Sequence, residues 1–251
     1  MPHQTSLLPI GNPFIELPTV DSTNNYAMAL IQKNLAYHGA VVFAHQQTAG
    51  RGQRGKTWST SPGENLILSI ILQANQLDQA DLFLLSAGVA TACYDFFKNY
   101  AGCETSIKWP NDIYWRDRKA GGILIENVFR DHSWRYAVVG IGLNINQTSF
   151  EESLPNPVSL KQITGENYHP VQLAKELCTY LEYSYQQLFF KDHKILDHYK
   201  SSLYKLHQRV KIKKENIVFK TTIQGVTSAG KLITRDTMNR EFDFGEVEWL
   251  L

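Results

Sequence analysis

Gly50-Arg51-Gly52-Gln53-Arg54-Gly55-Lys56-Thr57, followed by Trp58-Ser59-Thr60-Ser61-Pro62-Gly63-Glu64, is the stretch on which the fold assignment turns. Its first eight residues satisfy two phosphate-binding patterns at once, G-x-G-x-x-G and G-x-x-x-x-G-K-[ST]. Both patterns need a helix that starts where the loop ends, because first-turn amides and the helix dipole hold the phosphate. Pro62 and Gly63 oppose such a helix, and Asn65-Leu66-Ile67-Leu68-Ser69-Ile70-Ile71-Leu72 reads as a buried strand instead. No apolar strand ending in Asp supplies the second magnesium-binding motif of a P-loop enzyme. The string is therefore disfavoured as a P-loop or Rossmann turn, but its chemistry remains. Three glycines permit close backbone approach, and Arg51, Arg54 and Lys56 carry charge that could fold over an anion or merely solvate a hairpin.

Upstream of the loop, Phe14-Ile15-Glu16-Leu17 reads as a strand, and Asp21-Ser22-Thr23 offers capping oxygens to a helix with Ala27, Leu30, Ile31 and Leu35 on one face. Ala40 to Ala44 is a buried strand. Downstream, residues 78–99 read as helix, and Ser106–Trp109, Gly122–Val128 and Tyr136–Ile145 as strands. Clustered strands with few helices between them predict an α+β fold, a mixed sheet with helices packed on it. Pro170 opens a helix to about Phe190, and a shorter helix runs to about Leu206. Beyond that point Val210 to Lys213 alternates, Ser228-Ala229-Gly230 and Met238-Asn239-Arg240 read as turns, and Phe242, Phe244, Val247 and Trp249 alternate again. That is the pattern of a small antiparallel barrel, so residues 1–206 and 207–251 are expected to form two domains.

Composition narrows the function. The 251 residues carry 25 Lys plus Arg against 24 Asp plus Glu, a net charge of +1, so no general field attracts a polyanion and any anion chemistry must be local. Cys93, Cys103 and Cys178 are an odd set without close spacing, which predicts buried free thiols and a reducing, cytoplasmic setting rather than a disulfide framework or zinc cluster. The opening residues lack the layout of a secretory signal, and no apolar run is read as approaching the ~20 residues of a spanning helix.

Three further strings concentrate reactive side chains. Lys108-Trp109-Pro110-Asn111-Asp112 places a cation, an aromatic, a rigid turn and two polar groups at a strand end; Asn111 and Asp112 could equally cap their own turn. Arg118-Lys119-Ala120-Gly121-Gly122-Ile123-Leu124-Ile125-Glu126 sets a lysine before two glycines and a strand, where it could meet a carbonyl or phosphoryl oxygen or simply belong to a hairpin. In Val138-Val139-Gly140-Ile141-Gly142-Leu143-Asn144-Ile145-Asn146, glycines inside a strand signal close approach by a ligand or another backbone.

Ser22-Thr23-Asn24, the loop from Gln47 to Trp58, Lys108 to Asp112, Arg118 to Glu126 and Gly140 to Asn146, in this order and spacing, resemble the biotin–protein ligase (biotin–[acetyl-CoA-carboxylase] ligase) family from about residue 14 to the chain's end. The resemblance implies a catalytic domain related to class II aminoacyl-tRNA synthetases followed by an SH3-like barrel. It implies two steps: MgATP activates biotin to biotinyl-5′-AMP, and a lysine of a biotin carboxyl carrier protein then takes the biotinyl group. A lipoate or octanoate transferase would share the fold, but the Lys108 to Asp112 string and the Gly–Arg loop favour biotin.

By the same resemblance, Ser22, Thr23, Asn24, Gln47 and Gly122 would line the biotin pocket, with backbone groups of Arg51, Gly52 and Gln53 clamping the ligand. Lys119 would reach the carboxylate and acyl phosphate, Arg51 would assist, and Asp112 would orient or deprotonate the incoming lysine. Arg54, Lys56, Trp58, Lys108, Asn111 and Asn144 would hold ATP, with Mg2+ arriving on the nucleotide and no metal ligand in the chain. Two departures stand out. Gln53 replaces an arginine that many members use to retain the adenylate, and Gly245-Glu246-Val247 is followed by Glu248-Trp249-Leu250-Leu251 without the arginine some members place near ATP. Only about a dozen residues precede the first strand, too few for a helix-turn-helix module, so a monofunctional ligase without a DNA surface or membrane attachment is expected. A monomer or a homodimer would serve. Residues 50–56 are expected to order on binding biotin.

Overall fold

Two sheets are built from residues 8–190 and 194–250, the part of the chain described by the computed structural model. The larger contains β1 (Phe14–Leu17), β2 (Val41–Ala44), β3 (Leu66–Gln73), β4 (Thr105–Lys108), β5 (Asp112–Trp115), β6 (Arg118–Arg130) and β7 (Ser133–Leu143). Their spatial order is β1-β2-β3-β7-β6-β5-β4, with β1 and β2 parallel and every other pair antiparallel, so the sheet is mixed as expected. The helices are α1 (Thr23–Gln32), α2 (Leu82–Ala101), α3 (Leu160–Thr164), α4 (Pro170–Phe189) and α5 (Lys194–Ser201).

Alternation along the strands sorts the two faces. On β3, Leu66, Leu68, Ile70 and Leu72 enter the main core, whereas Ile71 joins Val42 and Val138 beneath Ala27 and Ile31 of α1. The main core is closed by α2 and α4, with Phe96, Phe97 and Leu177 fully buried. Such two-sided burial explains why β3 reads as a continuous apolar run rather than an alternating one.

The smaller sheet holds β8 (Arg209–Lys214), β9 (Ile217–Val226), β10 (Leu232–Arg235), β11 (Asn239–Phe242) and β12 (Glu248–Leu250), all antiparallel, in the order β11-β10-β9-β8-β12. It is the small C-terminal all-β unit that the resemblance implies. Its Ile212, Ile223, Leu232 and Phe242 are continuous with the main core.

As the Pro62-Gly63 break predicts, Lys56 is extended and Leu66–Gln73 is a strand, so the helix a P-loop requires is absent from its place. Other expectations need correction. Leu35 lies beyond the end of α1 and is exposed. Cys103 is exposed, because it falls in the turn after α2, while Cys93 and Cys178 are buried. Met238 to Arg240 is not a turn throughout, since β11 already starts at Asn239. Strands β5 and β9 and helix α3 join the elements read from sequence. The segment Gln79–Ala101, 23 residues, is long and apolar enough to cross a membrane by length and composition, contrary to the sequence reading. In this fold it is α2 with its leading turn, packed against α4 and α5, with most of its apolar stretch buried.

Candidate functional site

The N-terminus of α1 opens onto the centre of the larger sheet. Ser22, the N-cap, makes no capping bond with its side chain; instead the Oε1 of Gln47 accepts from the backbone N–H of Thr23 at 2.8 Å and from its Oγ1 at 3.1 Å. The cap therefore comes from the loop before Gly50 and not from the Asp21-Ser22-Thr23 string itself. Ser69, the one hydroxyl in the apolar run of β3, lies with its Oγ 2.7 Å from Thr23 Oγ1 and 2.5 Å from Asn24 Oδ1. Ser22, Thr23, Asn24 and Ser69 are all buried, which makes a dry polar cluster at the sheet surface.

Glycines make room for the side chains of the site. A Cβ on Gly140 would overlap the Asn24 carboxamide, and one on Gly142 would stand 2.5 Å from Cε2 of the Trp58 indole. The close approach expected at these glycines is made by side chains of the site, not by another backbone. The Trp58 Nε1 is buried without a hydrogen-bond partner in the protein, an orphaned donor at the edge of the cleft.

The cleft so formed is narrow, with a volume of about 60 Å3. Ser22, Thr23, Asn24 and Gln47 give it polar lining, Ile67 and Leu124 apolar lining, and Asp112 and Lys119 charge; Leu68, Ile123 and Ile141 border it too but belong to the main core.

A bulge brings that last pair together. Asp112 pairs with Gly122 and Tyr114 with Lys119, so β6 carries one extra residue, Ala120, against β5. The alternation flips across it, and the Lys119 Nζ comes 3.5 Å from where a Gly122 Cβ would stand. Lys119 Nζ lies 2.7 Å from Asp112 Oδ1. The lysine backbone is fixed from the outer side, donating to Asn156 C=O at 2.8 Å and accepting from Val158 N–H at 2.9 Å. Thus Lys119 and Gly122 are strand residues rather than the hairpin turn that Gly121-Gly122 could suggest.

Residues 50–58 form a small closed hairpin over the cleft. Gly52 N–H donates to Lys56 C=O at 2.7 Å and Trp58 N–H to Gly50 C=O at 2.9 Å. The tip turns at Arg54 and Gly55, with φ of 56° and 76°. Arg54 Nη1 donates to the carbonyl of Gly245 in the smaller sheet at 2.8 Å, so the tip rests on that unit. The Arg51 guanidinium, expected to add charge to an anion site, is instead paired with Glu126 at 2.8 Å. Gln53 Nε2 reaches the Ile123 carbonyl at 3.4 Å, and the Asn111 carboxamide donates to the same carbonyl.

A second, larger cleft of about 860 Å3 lies between the two sheets. Arg54, Lys56, Lys108 and Asn111 line one side and Lys213, Glu246 and Trp249 the other; it shares Gln53 and Asp112 with the first cleft. Burial pushes the Lys108 ammonium down to about 8, opposed by the Asp112 carboxylate and reinforced by Lys119 and Lys56. Its Nζ sits 4.9 Å from the Tyr114 ring centre and 5.8 Å from that of Trp249. Trp109 borders this cleft and also anchors the smaller sheet, its Nε1 donating to Gly230 C=O at 2.9 Å. Asn144 stands apart from both clefts. It is buried behind β6, where its Nδ2 donates to Val158 C=O at 3.1 Å and approaches Lys119 C=O at 3.4 Å. Among the described residues, no three His, Cys, Asp or Glu side chains group closely enough to hold a metal ion.

Sequence reasoning singles out neither Ser69 nor Glu126; Ser69 is a lone hydroxyl in an apolar run, a signal that could have found it, whereas Glu126 stands beside Asn127 in a strand with charged ends and carries no such signal.

Comparison with known proteins fits this geometry. A family model described as "Biotin/lipoate A/B protein ligase family" matches residues 16–144. A Bacillus spizizenii protein named "Bifunctional ligase/repressor BirA" is 33% identical over 181 residues, covering 70% of this chain and 55% of that one. A Mycobacterium tuberculosis protein named "Biotin--[acetyl-CoA-carboxylase] ligase" is 32% identical over 142 residues, covering 55% of this chain and 51% of its own. The chain thus spans about half the length of these curated relatives. Among solved structures, "Biotin protein ligase from Aquifex aeolicus in complex with biotin and ATP" superposes with a TM-score of 0.79 at 24% identity, over 94% of this chain and 98% of that one.

Proposed function

The chain belongs to the biotin/lipoate A/B protein ligase family, whose model covers residues 16–144, and from that premise we propose that it is a cytoplasmic biotin–protein ligase using MgATP to biotinylate a lysine of a carrier protein. The observation that carries this reading is the junction of two clefts at the Lys119–Asp112 pair, 2.7 Å apart. The narrow cleft suits a small acid with a polar bicyclic head and an aliphatic tail, its head against Thr23, Asn24 and Gln47 and its carboxylate toward Lys119. The wide cleft suits ATP, with Lys56, Lys108 and Arg54 near its phosphates and Mg2+ carried on the nucleotide. Residues 1–206 would form the catalytic domain and residues 207–251 its SH3-like partner.

In the first step a carboxylate oxygen of biotin attacks the α-phosphorus of ATP, a P–O bond forms, and pyrophosphate leaves. Lys119 exchanges Asp112 for the carboxylate and α-phosphoryl oxygens, where its charge is worth most as negative charge concentrates. In the second step the carrier lysine amine attacks the acyl carbon and AMP departs. The amine must be neutral to attack, and Asp112, freed by Lys119, is placed to take its proton. The closed hairpin over the narrow cleft would keep water from the mixed anhydride. Asn144, bonded to the Lys119 carbonyl, would act by holding Lys119 in place.

The polar lining of the narrow cleft favours biotin over lipoate, since a dithiolane offers Thr23, Asn24 and Gln47 nothing in exchange for the bonds they make with one another and with Ser69 and Glu126. The test is incubation with MgATP, a carrier domain and either acid, followed by intact mass. A biotin-sized increase on the carrier, with no lipoyl increase, is expected; no increase with biotin would sink the reading. Lys119→Ala should lower pyrophosphate release about 100-fold.

A further inference from the structure

Glu126 takes no part in the steps above, yet it is the point where three elements of the narrow cleft converge. It lies on β6, its side chain 20% exposed. Its Oε2 accepts from Asn24 Nδ2 at 2.8 Å and from Arg51 Nη1 at 3.0 Å, and its Oε1 pairs with Arg51 Nη2 at 2.8 Å. Two nitrogens of one guanidinium meeting two oxygens of one carboxylate form a fork, the geometry that fixes orientation as well as distance. Arg51 Nη1 is also 3.0 Å from Asn25 Oδ1, and Asn25 in turn donates to Asp21 at 2.6 Å. The hairpin is thereby tied to the start of α1 as well as to β6.

We propose that Glu126 is a positioning residue that holds the 50–58 hairpin closed through Arg51 and fixes which way the Asn24 carboxamide faces the ligand. The Glu126 carboxylate only accepts, so Asn24 Nδ2 must face it and Asn24 Oδ1 turns to Ser69 Oγ at 2.5 Å; Ser69, which can donate or accept, would tolerate either orientation, whereas the flipped amide would set oxygen against the oxygen of Glu126. The ligand then meets an Asn24 carboxamide that is already oriented, which lowers the cost of binding. The identity of the ligand rests on the ligase reading; the device itself does not.

Glu126→Gln preserves shape but removes the charge and turns an NH2 toward either Arg51 or Asn24. Hydrogen exchange of the ligand-free protein reads the hairpin directly, through the bonded amides of Gly52 and Trp58. Exchange there should quicken about tenfold, equivalent to ~1.4 kcal/mol, in Glu126→Gln and equally in Arg51→Gln. The double variant should add little to either, because both break one pair. In steady-state assays of Glu126→Gln, KM for biotin should rise more than kcat falls. Unchanged exchange in 50–58, additive effects of the two substitutions, or loss of protection spread over the whole sheet would each overturn the proposal. The exchange measurement needs no substrate, so a wild-type protein inactive with biotin would sink only the ligase reading.

Discussion

At the scale of single residues, Lys108 shows how the site sets charge against burial. Its ammonium is pushed down to about 8 chiefly by burial, well below the usual lysine value. A base with a depressed folded value keeps its charge below about pH 8 at a cost in stability. Between about 8 and 10.5 the folded protein has released a proton that the unfolded chain still holds, so the contribution of this group to stability rises with pH across that window. Affinity for ATP should move the opposite way, falling as pH is raised from 7 through 9 because the cleft loses a cation. Calorimetric titration with MgATP in the absence of biotin measures it. Lys108→Arg, which stays charged throughout, should flatten the profile; a wild-type affinity indifferent to pH would remove Lys108 from the nucleotide site.

At the scale of elements, much of the site was legible because motif and secondary structure coincide. The Pro62-Gly63 break before a β-branched run excluded the phosphate-loop helix, and β3 follows at Leu66. Lys108 does end a strand, and Gly140 and Gly142 do admit close neighbours. What stayed hidden depends on register. Ala120 as a bulge residue is invisible to a two-residue period, yet it decides that Lys119 faces Asp112. Strand β5, four residues between a Pro-Asn turn and Arg116-Asp117, looks like loop in sequence. The Arg51 fork on Glu126 joins residues 75 apart, which no local pattern reports.

The same packing makes Gly142 a sharp probe of the cleft. A methyl group there would press on the Trp58 indole, and overpacking of this kind costs ~1–3 kcal/mol. Gly142→Ala should push the ring into the narrow cleft and weaken biotin binding about tenfold or more, while the smaller ring of Trp58→Phe in the same chain should recover much of the loss. If the single variant binds biotin normally, Trp58 does not shape that cleft.

At the scale of the whole molecule, the two sheets are joined in three ways besides the Arg54–Gly245 bond, with different consequences for the two clefts. The chain leaving α5 runs beside β4, with Ile107 N–H donating to Ser202 C=O and Tyr204 N–H to Ile107 C=O, both at 2.8 Å. The apolar core continues into the smaller sheet. Trp109 then pins the Thr227–Lys231 turn through its bond to Gly230, with its ring 6.0 Å from that of Phe244. The narrow cleft has no lining residue beyond Gly142, whereas the wide cleft draws half its wall from residues 213–250. Loosening the joint should therefore separate the two ligands. Trp109→Phe keeps the apolar bulk but deletes the N–H donor, a change of ~1–3 kcal/mol where the abandoned carbonyl stays buried. ATP affinity should fall severalfold as the far wall of the wide cleft loses its register. Biotin affinity should hold, because every group proposed to touch biotin sits on α1, β3, β6, β7 or the 47–58 segment. Titrating each ligand alone against wild type and variant gives the comparison; an equal loss for both would mean that the barrel supports the hairpin tip, through Arg54 and Gly245, more strongly than it supports the nucleotide.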